Sequence, residues 1–101
     1  MMISVMKRVV LTAVAVLPLT AIAEAPAKEA LCRSCHGKAG AAPIMPAYPK
    51  LAGQNKAYLV SAIKAYRDGE RKTGMAAVMA ASAMGLTDAD IEALADYYSS
   101  Q

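Results

Sequence analysis

The chain has 101 residues, with 11 Lys+Arg against 8 Asp+Glu and neither Phe nor Trp, which leaves room for one domain. Lys7 and Arg8 fall in an N-terminal leader, so nine bases face eight acids in the remainder. No polybasic run survives there, and nucleic-acid binding has no electrostatic footing.

The leader comes first in chain order. Met1 to Met6 run into the basic pair Lys7-Arg8, and Val9 to Leu17 form an apolar stretch interrupted only by Thr12. Pro18 ends it, and Ala21-Ile22-Ala23 supplies the small-x-small pattern of a signal-peptidase site. This pattern predicts a signal peptide over 1–23, cleaved between Ala23 and Glu24, and export to the periplasm. The competing reading is an uncleaved anchor. The apolar stretch is shorter than the ~20 residues that a membrane span needs.

Residues 24–101 form the mature domain, 78 residues long. That is near the lower size limit for a self-sufficient core. Its many alanines each bury little area. Such a chain needs added core material: disulfides, a metal or a large cofactor.

Helical spacing is predicted over 25–35, with Pro26 in the first turn followed by Ala27, Ala30 and Leu31. Gly37 to Tyr48 reads as loop, extended by Pro49. A second helix is predicted from Gln54 to Arg67. Tyr58, Leu59, Ala62, Ile63 and Tyr66 make its apolar stripe, and Asp68-Gly69 its stop. Segment 75–84 is apolar nearly all round, so a short helix there must be buried or face something apolar. Thr87 and Asp90 form a near capping box before the last helix, which buries Ile91, Leu94, Ala95 and Tyr98 and ends near Ser99. No stretch alternates long enough to predict a strand. The fold class is therefore all-α.

Cys32-Arg33-Ser34-Cys35-His36 is a C-x-x-C-H motif, the pattern of c-type haem attachment. Two thiols can reach the two vinyl groups on one porphyrin edge, and the following imidazole then lies over the iron. These are the only cysteines and the only histidine of the chain. Two other chemistries use such residues. A thiol-redox site uses the same spacing, on a βαβ fold. Zinc needs four ligands, so Asp or Glu would have to join these three.

From this motif onward the chain resembles the class I cytochromes c, in particular single-domain members of the cytochrome c4 and c553-like groups. The resemblance runs through Gly37, the string Pro46 to Gln54, Tyr58-Leu59, Tyr66 to Arg71, Leu86 to Ile91 and Ala95 to Tyr98. The string from Pro46 to Gln54 is its most specific part.

The resemblance implies a small fold of about four helices around one covalently bound haem c. Cys32 and Cys35 would carry the thioethers, and His36 would be the proximal iron ligand. Pro46 would offer its backbone carbonyl to the other nitrogen of His36. The first and last helices would cross near one haem edge, with Leu31, Leu94 and Tyr98 as candidates for the crossing. The sixth ligand of relatives is a Met in the loop before the last helix. Counting back seven residues from Leu86 gives Met79, whereas counting forward from Arg71 gives Met75 or Ala76. A short insertion between Arg71 and Met79 reconciles the counts. Met79 is the expected ligand, Met75 the second choice and Met84 the third. The remaining methionines, like Tyr48, Tyr58 and Tyr66, are packing residues by default.

The function so implied is one-electron transfer in the periplasm with His/Met ligation, which raises the reduction potential. The partners would be redox proteins such as respiratory or oxidoreductase complexes, with membranes met only through them. The domain is expected as a monomer or weak dimer, and not as an enzyme. The alternatives are a haem subunit of one dedicated oxidoreductase, an open-site haem enzyme and a thiol-redox protein.

Overall fold

The computed structural model describes residues 8–14 and 24–101. Most of the leader, and the leader side of the expected cleavage point, lie outside the described residues. Residues 8–14 form no regular element. No helix among the described residues is long and apolar enough to cross a membrane.

Four α-helices follow: α1 (Glu29–His36), α2 (Lys56–Arg67), α3 (Ala76–Ala83) and α4 (Asp88–Ser99), with a 3₁₀ turn at Lys38–Gly40. The fold is all-α, with no strand among the described residues.

Local chemistry sets most of the helix ends. The Asn55 side chain accepts the Tyr58 N–H at 2.9 Å and starts α2. Thr87 and Asp90 form the capping box of α4: Thr87 Oγ1 accepts the Asp90 N–H at 3.1 Å, and Asp90 Oδ2 accepts the Thr87 N–H at 3.0 Å. Helix α1 differs from expectation. It begins at Glu29 rather than at residue 25, and no side chain caps it. Pro26 instead belongs to the preceding turn, where its carbonyl accepts the Glu29 N–H at 2.9 Å.

The core is built on α4. Ile91, Leu94, Ala95 and Tyr98 are buried at i, i+3, i+4 and i+7, joined by Leu59, Ala83 and Leu86. Helix α2 packs against both α3 and α4. Arg67 ties the end of α2 to the start of α4, with Nη1 2.6 Å from Asp88 Oδ1 and Nε 2.9 Å from Asp68 Oδ1.

Of the residues expected at the α1/α4 crossing, Leu94 and Tyr98 are buried, but Leu31 is 58% exposed. The contact between these helices is polar instead. Tyr98 Oη donates to Glu29 Oε1 at 3.3 Å, and Glu29 is 2% exposed. Leu31 lies on another side of α1, where it lines a cleft.

Candidate functional site

That cleft has a volume of about 290 Å³ and takes residues from all four helices. On α1, Cys32, Cys35 and His36 stand at i, i+3 and i+4, so the helix repeat puts them on one face. All three line the cleft. The whole predicted stripe of α2, from Tyr58 to Tyr66, faces it as well. Helix α3 contributes Ala76, Val78, Met79, Ser82 and Ala83, with Met75 just before it. Only Ala83 of this helix is buried, and Ala76, Val78 and Met79 give it an apolar face toward the cleft.

His36 is 3% exposed. Its Nδ1 lies 2.8 Å from the carbonyl oxygen of Pro49, so the ring donates there and carries its proton on Nδ1. In the neutral ring this leaves the Nε2 lone pair free, the form that ligates a metal. This corrects the expectation for Pro46: the accepting carbonyl belongs to Pro49, three residues on, and Pro46 does not line the cleft. The reason lies in how the loop is pinned. Leu51 and Ala52 both donate their N–H groups to the Gly40 carbonyl, at 2.9 and 3.1 Å, and Gly53 donates to the Tyr98 carbonyl at 2.9 Å. These bonds deliver Pro49 to the imidazole.

Gly37 ends α1 with φ +81, and a Cβ there would overlap the Ala42 carbonyl. Only glycine lets the chain turn back immediately after His36.

Cys32 and Cys35 are free thiols, both partly buried. Burial pushes the Cys32 thiol up; a hydrogen bond with Tyr98 opposes this, and the nearby Glu29 adds to the rise. This direction is opposite to the lowered values of reactive redox cysteines. The Tyr98 hydroxyl is itself pushed far up, chiefly by burial and then by Cys32 and Glu29. It stays protonated and remains a donor.

Of the three candidate methionines, Met75 and Met79 line the cleft. Met84 is 73% exposed and lies outside it. Met79 is the more buried of the two that remain.

The cleft contains no carboxylate; its charged residues are Lys28, Lys50 and Arg71. Two thiols, an imidazole with a free Nε2 and a thioether thus surround an apolar cleft bordered by cations. That donor set fits a large apolar macrocycle carrying carboxylates and a soft-liganded iron. Among the described residues, no three His, Cys, Asp or Glu side chains group to hold a metal ion alone.

Sequence reasoning missed two features. The first is Glu29, whose signal was its place one turn before Cys32 with Arg33 four residues on, now 3.8 Å away. The second is Arg71, which the sequence offers only as the end of the string from Tyr66 and which lies over the Tyr66 ring. No local pattern announces that stack.

Comparison with known proteins gives a consistent result. The cytochrome c family profile matches residues 23–101. Cytochrome c-554(548) of Halomonas halodenitrificans is 56% identical over 70 residues, covering 69% of this chain and 83% of that protein. The thiosulfate dehydrogenase electron acceptor of Thiomonas intermedia is 40% identical over 77 residues, covering 76% of this chain and 34% of its own length. Cytochrome c4 of Pseudomonas aeruginosa is 39% identical over 75 residues, covering 74% and 35% respectively. The chain therefore spans most of the first relative and about a third of the other two.

Proposed function

The chain belongs to the cytochrome c family of electron carriers, and from that premise we propose that it works through a single haem c joined to Cys32 and Cys35, with His36 and Met79 as axial ligands. The observation that carries this reading is the convergence of both thiols and the buried imidazole on one helical face, along a cleft that also holds Met79.

When bound, the haem supplies a reversible one-electron couple at its iron. The protein's part is to hold that couple in one geometry. Cys32 and Cys35 would fix the macrocycle edge to α1. His36 offers Nε2, and Pro49 holds the ring and raises its basicity through Nδ1. Met79 offers a soft thioether, which favours the ferrous state and raises the potential. Leu51, Leu59, Ile63 and Leu94 line the cleft and exclude water. Exclusion of water disfavours the net charge of the ferric site.

The leader pattern supports a periplasmic location. The partner is a redox protein. A relative named as the electron acceptor of thiosulfate dehydrogenase supports an oxidoreductase as donor.

The test is to express the full-length gene with a cytochrome c maturation system and record oxidised and reduced visible spectra. A sharp reduced α-band that survives acid-acetone extraction is expected, with a weak far-red band in the oxidised protein. Met79→Ala abolishes the far-red band, whereas Met75→Ala and Met84→Ala retain it. Covalent haem without that band in the wild type would point to an open sixth position. No haem, with a Cys32–Cys35 disulfide in its place, would sink the reading.

A further inference from the structure

We propose that Arg71 is the positioning residue that holds a propionate of the haem, its guanidinium set in advance over the ring of Tyr66. The inference rests on the haem reading above and adds a residue that sets the orientation and potential of the group.

Three observations carry it. The first is anchoring. Gly69 takes φ +79 and reverses the chain after α2, and the N–H groups of Glu70 and Arg71 both donate to the Ala65 carbonyl, at 2.9 and 3.1 Å. This fold-back lays Arg71 along the end of α2, with its guanidinium carbon 4.4 Å from the centroid of the Tyr66 ring. A stacked guanidinium loses less freedom when it accepts a partner.

The second is charge. Arg33, Lys56 and Arg67 each have carboxylate partners. Among the described residues, the cleft cations Lys28, Lys50 and Arg71 form no close ion pair, Lys28 acting on Asp90 only at a distance, and no Asp or Glu lines the cleft. The cleft presents positive charge without a protein anion to match it.

The third is chemistry. A guanidinium grips a carboxylate through two parallel N–H bonds, which an ammonium does not reproduce. Of the three cleft cations, Arg71 alone has that fork. The apolar cleft takes the macrocycle, and the carboxylate it carries is the anion that Arg71 lacks.

The test uses the haem-loaded protein. Arg71→Gln removes the charge near the propionate, so the site favours the ferric state more. The expected result is a fall in midpoint potential equivalent to about a tenfold shift in the one-electron equilibrium, ~59 mV. Redox-difference infrared spectra should show the propionate carboxylate stretch displaced in Arg71→Gln, with partial return in Arg71→Lys. Lys72→Gln, which alters a cation outside the cleft, should move neither readout. Covalent haem with an unmoved potential and stretch in Arg71→Gln would overturn the assignment alone. A stretch that moves only in Lys50→Gln or Lys28→Gln would transfer the role and overturn it too. Loss of partner oxidation with both readouts unchanged would make Arg71 a docking cation instead. Absence of covalent haem in the wild type would overturn both readings together.

Discussion

The imidazole of His36 donates its Nδ1 proton to the backbone carbonyl of Pro49 across 2.8 Å. One bond settles two matters at once: which tautomer the ring adopts, and which way it faces. The bond is made by a loop that is itself held to Gly40 and to Tyr98. The ligand geometry therefore depends on residues far from the motif.

If His36 ligates the haem iron as proposed, loosening that loop should weaken the bond. Pro49→Gly keeps the carbonyl but frees the backbone that aims it. Protons should then displace His36 from the iron at a higher pH than in the wild type. Acid titration followed by the visible spectrum checks this, and an unchanged midpoint would show that the carbonyl is held by the flanking bonds alone.

Gly40 should be intolerant for the same reason. It has φ +66, and an added Cβ would come within 2.7 Å of Leu51 Cβ and 2.9 Å of the Tyr98 ring. Gly40→Ala is expected to destabilise the domain by about 1–3 kcal/mol. Because the Gly40 carbonyl also holds Leu51 and Ala52, this variant should share the acid sensitivity of Pro49→Gly. Denaturant unfolding and the same titration measure the two effects.

The buried pair Glu29 and Tyr98 joins α1 to α4. Glu29→Ala or Tyr98→Phe leaves one buried polar group without that partner, at a cost of about 1–3 kcal/mol. Glu29→Gln retains an acceptor for the hydroxyl and should cost less than Glu29→Ala. Guanidinium unfolding of the three variants gives the order. Equal losses in Gln and Ala would shift the credit to the contact with Arg33.

Asp88 supplies a pH dependence whose sign follows from its partner. Its carboxyl is held below the usual range, first by the hydrogen bond from Arg67, then by the charges of Lys64 and Arg67. A depressed carboxylate contributes stability above the ordinary value of about 3.9 and loses it as pH falls through the lowered folded value. Asp88→Asn should lower Tm slightly at neutral pH, and the difference should vanish in strong acid. The pair is exposed, so added salt should also shrink it. A Tm difference that persists in acid would assign the effect to something other than charge.

Helix α4 was legible because its signals are local. The cap at Thr87, the box partner at Asp90 and the stripe Ile91-Leu94-Ala95-Tyr98 all lie within one turn-by-turn pattern. The start of α1 was not, because Glu29 is buried by a residue 69 positions away. Leu31 looked like core material, since an apolar residue on a helix shows only that it avoids water, not which surface it meets. Pro46 and Pro49 are equivalent by composition; the bonds to Gly40 choose between them, and these are tertiary. The C-x-x-C-H motif remained readable because three chemically distinctive side chains at helical spacing need no long-range contact to share a face.

The interior is unevenly shared among the helices. Helix α3 packs mainly on α2 and buries only Ala83, while Ala76, Val78 and Met79 border the cleft. On the proposed haem reading, the group in the cleft would supply α3 with packing that the protein's own side chains do not, and a segment with few buried contacts gains most from such packing. A group that binds only the folded form stabilises it by mass action, and a covalent link would make that gain permanent. A copy that had not received the proposed haem would then expose α3 to proteases more readily than a loaded one, and attachment would double as a check on which molecules persist.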